Sequence, residues 1–228
     1  MVGLIASGLA YGRVDQILKS VESVLGRLGS SPAAFVVEAG EEELETLLDG
    51  FRHRFTGGGE VASLLVGVGA ILRRYDSIEA CFARGLESDD ETTVPALCKF
   101  AEEIGGACQC RPTSLLPVPE RGSACKRFHL YLRWMVRSDD VDPGGWDGVR
   151  RSQLVVPLDT HMHRAALALG LTTRNQADLK TALDITASLR MLDPEDPVKY
   201  DFAITRIGIR SDVGSVDELL GPLVVRDP

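Results

Sequence analysis

Helical periodicity runs through almost the whole of this chain and strand-like alternation is nearly absent, which restricts it to folds that pack helix on helix. From Gln16 to Leu28, Ile17, Val21, Val24 and Leu25 share one face, and Gly29 supplies a stop. Segments 41–51, 61–74, 78–86 and 93–104 continue the pattern. Val61 to Leu72 is the longest apolar stretch; bounded by Glu60 and Arg73, it is too short to cross a bilayer and reads as a buried core helix. Further helices are expected over 124–136, 158–169, 176–189 and 198–209, which makes an all-α protein of about nine short helices. The expected division is a helical lobe over 1–150 and a second over 151–228. Met1 to Ile5 already lie in an apolar helical pattern with no capping residue before them, so relatives are expected to carry an additional N-terminal piece.

Composition limits the function classes. The 228 residues are 44% hydrophobic and 25% charged, as in an ordinary globular protein. Residues Met1 to Ala10 lack the basic flank and cleavage site of a secretory leader. The five cysteines, odd in number and irregular in spacing, read as reduced thiols. Cys108 and Cys110 form a lone C-x-C with no histidine near it, a weak metal signal. The net charge of −8 argues against a nucleic-acid binder, because phosphate contact needs cations. Its distribution reopens the question: Arg111 to Arg164 holds nine Lys or Arg against six Asp or Glu, while Glu38 to Asp49 is a dense acidic block.

That cationic region holds the chemistry. In segment 124–136, Phe128, Tyr131, Leu132, Met135 and Val136 recur at helical spacing and make a core face. Lys126, His129, Arg133 and Arg137 fall on another face, either a solvated basic stripe or a cationic strip lining a groove. Ahead of them, Pro117 to Ser123 is a proline- and glycine-marked turn. After them, residues 138–157 form a polar connection long enough to be functional or flexible, and Leu158-Asp159-Thr160-His161 opens a helix. Lys199-Tyr200-Asp201-Phe202 begins the terminal helix.

These words resemble the helix-hairpin-helix DNA glycosylase superfamily. Leu158-Asp159-Thr160-His161 followed by Arg164 is similar to the V-D-T-H-x-x-R segment of endonuclease III relatives, whose aspartate is catalytic. Lys126 would correspond to the hairpin lysine of the bifunctional members, and Leu4 to Arg13 is similar to their early helix and DNA-facing turn. The resemblance spans most of the chain and looks closest to a bacterial branch of the superfamily, the one nearest the archaeal 8-oxoguanine glycosylase type. It departs from the pattern in three places. The turn reads Pro119-Glu120-Arg121-Gly122 rather than L-P-G-V-G, Lys126 and Asp159 are 33 residues apart, and no cysteine follows Cys125 to hold an iron–sulfur cluster.

The resemblance implies a two-lobed fold without cofactor or metal. It implies a cytoplasmic, nucleoid-associated enzyme that removes a damaged, oxidised base from double-stranded DNA and cleaves the abasic site. Lys126 and Asp159 would be catalytic. Arg13, Gln16, Arg121, Gly122, Ser123, Arg127, His161 and Arg164 would contact DNA, and Trp146, Asp201 and Thr205 would form the base pocket. Physically, breaking a nucleoside C1′–N bond builds positive charge on the sugar, which a fixed carboxylate stabilises. A lysine attacks C1′ only as the neutral amine. The target is reached by flipping the nucleotide out of the duplex.

Blander readings stand beside each residue. Asp159 is placed to cap a helix, a role compatible with catalysis because it fixes the carboxylate. Lys126 taken alone is a surface lysine. Asp201 is either a buried hydrogen-bond partner or exposed beside Thr205. Trp134 is expected in the core and Trp146 free in its glycine loop, to stack on a base or to anchor the loop. His161 and His163 fall on different helix faces and make no metal pair. Two rivals to the enzyme remain: a non-catalytic module of the same fold that binds nucleic-acid structure, and a helical interaction protein with no nucleic-acid role.

Overall fold

The computed structural model describes residues 1–108 and 115–209, with side chains described as far as residue 205. Arg111, Thr113, Cys110 of the C-x-C pair and the tail from Ser211 lie outside the described residues. Within them the chain is mostly helical, with eleven α-helices and one small two-stranded sheet.

The N-terminal part comprises α1 (Val2–Gly8), α2 (Val14–Leu28), α3 (Pro32–Glu38), α4 (Glu41–Leu47), β1 (Arg52–His53), β2 (Thr56–Gly57), α5 (Gly58–Tyr75), α6 (Ile78–Ala83) and α7 (Val94–Cys108). The long apolar segment is α5, and it is the centre of this part. Its N-terminus is closed by Glu60, whose carboxylate accepts the Gly57 N–H at 3.0 Å. Two of its glycines permit backbone-close crossings. A Cβ on Gly67 would lie 2.7 Å from the Ile104 carbonyl oxygen of α7, and one on Gly69 would lie 2.4 Å from that of Val36 in α3. No larger residue fits at either position without separating the helices.

Two elements of this part depart from the sequence pattern. Helix α3, seven residues begun by Pro32, is too short to display periodicity. The antiparallel pair β1–β2 puts two residues on each strand, too few for alternation to show.

The second part comprises α8 (Lys126–Val136), α9 (Thr160–Ala168), α10 (Leu179–Leu192) and α11 (Asp201–Ile209). The predicted core face of α8 is buried at Phe128, Tyr131, Leu132 and Val136, and packs on α1. The approach is close: a Cβ on Gly3 would sit 3.1 Å from Met135 Cε. The connection 138–157 is ordered rather than loose. A bridge pairs Ser138 with Pro143, a 3-10 turn spans Arg151–Gln153, and Val149, Leu154, Val155 and Val156 are buried. The terminal helix starts at Asp201 rather than Val198, because residues 197–200 form a turn.

One cluster of buried side chains runs from Leu4 to Val198, with a satellite at Ala165, Ala168 and Ile204 between α9 and α11. The reading of all five cysteines as thiols needs correction: Cys81, Cys98 and Cys125 are free, but Cys108 is disulfide-bonded. An odd count excludes a complete framework, not a single bridge. No helix among the described residues is long and apolar enough to cross a membrane.

Candidate functional site

Lys126 opens α8 and Asp159 precedes α9, and the fold brings them together. Lys126 Nζ lies 3.6 Å from Asp159 Oδ2, with both side chains about one-quarter to one-third exposed (33% and 25%). Each is held by its own part of the chain. Arg127, the next residue, donates to the Gly8 carbonyl at 2.8 Å, and Lys126 Nζ donates to that of Ala10 at 3.4 Å, so the C-terminal end of α1 fixes the start of α8. Asp159 has extended backbone and caps α9, its Oδ1 accepting from His161 N and Met162 N at 2.9 Å each. The buried run ahead of it is tied to α10 by Val156 N donating to Thr186 Oγ1 at 3.0 Å. Capping and reactivity are both open to Asp159, because the oxygen facing Lys126 is not the one that caps.

Lys126 and Asp159 line a cavity of about 450 Å³. Leu130, Trp134, Val141, Pro143, Pro157 and Phe202 supply apolar wall, and Arg133, Asp201 and Thr205 its polar groups. Such a volume suits a small organic ligand lying against apolar and aromatic walls. Among the described residues no group of His, Cys, Asp and Glu side chains could hold a metal ion.

Beneath this cavity the basic face of α8 is buried, contrary to the solvated-stripe reading. Arg133 is 4% exposed and Arg137 7%. Arg133 pairs with Asp142 at 3.1 Å and with Asp201, and Arg137 with Asp142 at 2.8 Å, with Asp139 and with Asp196. Two guanidinium groups thus pair with four carboxylates, and the connection 138–143 and the start of α11 are bolted to α8. Burial pushes the Asp201 carboxyl up to about 6 against the pull of Arg133, and Asp201 Oδ1 has no hydrogen-bond partner among the described residues. His129 is fully buried without a partner there for either nitrogen, and burial pushes its imidazole down to about 4. Hydrogen bonds from the Asp142 and Val141 amides, with help from Arg137, hold Asp139 down at about 2.

The remaining predicted residues fall in several places. Asp201 and Thr205 line the cavity with Lys126 and Asp159. Arg121, Gly122 and Ser123 are exposed in the turn before α8; Gly122 takes positive φ (79°) there, and its carbonyl accepts from Leu179 N, tying the turn to α10. Arg127 is half-buried beside Tyr11. Arg164 is exposed on α9, and His161 sits in its first turn. Arg13 and Gln16 are exposed at the start of α2, where Arg13 pairs with Asp15 at 3.1 Å.

The tryptophans exchange their expected places. Trp146 does not line the cavity; its ring packs 5.6 Å from Phe82 and 5.4 Å from Tyr131, and its backbone N–H donates to the Met135 carbonyl, so it anchors the loop. Trp134 lines the cavity instead. Helical spacing from Lys126 was the available signal, since Leu130, Arg133 and Trp134 stand at i+4, i+7 and i+8 and share its face.

Fold and site together define an all-α protein with an amine–carboxylate pair on the wall of a ligand-sized cavity. The chain belongs to the DUF2400 family, described as a protein of unknown function, whose model matches residues 1–210. No curated protein and no solved structure gives a match.

Proposed function

We propose that this protein is a DNA glycosylase that removes a damaged base, oxidised bases being the class its sequence resemblance favours, and that it carries an associated abasic-site lyase activity. The observation that carries the reading is the 3.6 Å approach of Lys126 Nζ to Asp159 Oδ2 on the wall of one cavity, from residues 33 positions apart. An extruded base enters between the apolar walls and the sugar lies at the lysine. Lys126, as the neutral amine, attacks C1′; the C1′–N bond breaks and its electron pair leaves with the base. The new ammonium passes a proton, by way of Asp159, to the departing base. Before it takes that proton, while the C1′–N bond is breaking, the ionised carboxylate stabilises the positive charge that builds on the sugar. Ring opening, with O4′ taking a proton, leaves nitrogen and C1′ joined as an iminium. Loss of a C2′ proton then expels the 3′ phosphate.

The reading also fits an acidic chain. The exposed turn around Gly122 and Ser123, with Arg121, Arg127 and Arg164 nearby in sequence or across the site, offers backbone N–H groups and local cations to phosphate. The test is borohydride trapping on duplexes containing an abasic site or 8-oxoguanine. The expected result is a covalent adduct with the native protein and none with Lys126→Ala. No adduct with either, accompanied by salt-dependent binding, would support the non-catalytic module in its place.

A further inference from the structure

A second cavity, of about 510 Å³, shares Lys126 with the first. Its walls bring together three cations, Arg54, Lys126 and Arg127, and the aromatic rings of Tyr11 and Phe55, with no carboxylate among its described lining residues. In a chain of net charge −8 that selection calls for an anion. Two of the three charges are also uncommitted. Lys126 is shared between Asp159 and the Ala10 carbonyl, but Arg54 and Arg127 have no ion pair among the described residues and lie over the Tyr11 ring, at 5.9 and 5.0 Å. Burial pulls the Arg127 guanidinium below its ordinary value, as for a cation withdrawn from water without a full counter-charge.

The aromatic wall is rigid. Arg54 and Phe55 are the two-residue tip of the β1–β2 hairpin, and Phe55 is 60% exposed. Its ring stacks on Tyr11, with centroids 4.6 Å apart and planes 25° from parallel. Tyr11 is pinned in turn, its hydroxyl donating to the His53 carbonyl at 2.8 Å and lying 2.6 Å from Thr56 Oγ1. The His53 ring bonds the Tyr11 carbonyl and Ser20 Oγ. Gly12, at φ +98°, lets the tip pack here: a Cβ there would sit 2.8 Å from the Arg54 guanidinium. Two of the three non-glycine residues with positive φ among the described residues, Arg54 and Cys125, line this cavity. Backbone strain of that kind gathers where a site must be shaped.

We propose that this second cavity binds a free nucleoside monophosphate, its base stacked on Phe55 and its terminal phosphate held by Arg54, Lys126 and Arg127. A volume of about 510 Å³ is that of a small-ligand pocket. An exposed aromatic ring already fixed on a second ring offers a stacking platform to the flat face of any base. Three cations without a carboxylate suit the dianion of a phosphate monoester, whose oxygens guanidinium groups bind in pairs, better than a single carboxylate or the one negative charge of a diester inside a strand. The binding is independent of the chemistry proposed for Lys126 and needs no duplex.

Equilibrium dialysis of the full chain at low salt tests this with four probes: guanosine 5′-monophosphate, guanosine, inorganic phosphate, and a single-stranded trinucleotide without a terminal phosphate. The monophosphate should bind about tenfold or more tighter than each of the other three, since only it offers both a base and a dianion. Arg54 and Phe55 are exposed, so replacing either leaves the core intact. Phe55→Ala should weaken the monophosphate roughly tenfold, the size of one lost stacking contact, while sparing inorganic phosphate. Arg54→Ala should weaken it by a similar factor through the phosphate. Phe202→Ala, which alters only the first cavity, should leave it unchanged. No binding of the monophosphate, or inorganic phosphate binding as tightly, would overturn the proposal. A trinucleotide binding as tightly as the monophosphate would assign these cations to a strand in place of a free nucleotide. Loss of binding in Phe202→Ala with none in Phe55→Ala would move the nucleotide to the first cavity and refute the second as its site. A failure of borohydride trapping bears on the glycosylase reading alone.

Discussion

The two cavities that meet at Lys126 use charge in opposite ways. On one side, Arg133 and Arg137 are buried and fully engaged by Asp139, Asp142, Asp196 and Asp201, so their charge is spent on holding α8, the 138–143 connection and α11 together. On the other, Arg54 and Arg127 lie against aromatic rings with no carboxylate among the lining residues. One helix supplies cations to both, and position along α8 decides their use. The C-terminal half of the basic stripe is structural, and only its N-terminal end is left for a partner. A sum of charges over the chain therefore says little about what this surface attracts.

Breaking the buried side should have the largest effect. Arg133→Met leaves Asp201 and half of the Asp142 pairing without a counter-charge, and a loss of about 3–5 kcal/mol in urea unfolding is expected. A loss below about 1 kcal/mol would show that the ion network contributes little to holding the elements together.

Next in size is Asp159→Asn. Asparagine caps a helix as well as aspartate does, so stability should hold while the carboxylate's charge is lost. On the proposed chemistry, base release falls about 100-fold or more, equivalent to about 2.7 kcal/mol of transition-state stabilisation. A variant that cleaves at the native rate would reduce Asp159 to its capping role.

The pH dependence sharpens the picture of the buried side, where two groups pull against each other. His129, held near 4 when folded against an ordinary value of 6.5, binds fewer protons in the native state between those values, so its contribution to stability rises with pH from about 4 to 6.5. Asp201, raised from 3.8 to about 6, binds more protons in the native state, so its contribution falls as pH rises across nearly the same window. Unfolding free energies from urea titrations at pH 4 to 7 should change little for the native protein from this pair. They should fall with pH in His129→Leu and rise in Asp201→Asn, by at most about 1.4 kcal/mol per pH unit. Parallel curves for all three proteins would contradict the assignment.

The smallest change probes the exposed side. Gly12→Ala places a side chain at positive φ and against the Arg54 guanidinium, and a cost of about 1 kcal/mol is expected from the backbone alone. A variant as stable as the native protein would separate Gly12 from the packing of the hairpin tip.

Much of this arrangement can be read in the residues themselves, wherever periodicity is long enough to register. The core face of α8, the burial of α5 and the cap at Asp159 follow from spacing and residue type. The hairpin does not, because strands of two residues carry no alternation, and it places Arg54 and Phe55 next to Lys126 through contacts with Tyr11 more than 40 positions away. The buried stripe was equally hidden. Arg133 and Arg137 look like solvent-facing residues until Asp196 and Asp201, about 60 positions on, are folded against them. Trp134 and Trp146 show the same limit: their neighbours in sequence suggest core and loop, and the fold reverses the two.

Peptide mapping of the borohydride-reduced adduct by mass spectrometry tests the pairing of amine and carboxylate most directly. The sugar remnant should be found on Lys126, in the protein as it stands, after reaction with a duplex abasic site. A remnant attached to any other amine, or a peptide containing Lys126 recovered unmodified from a reaction that has gone to completion, would contradict it.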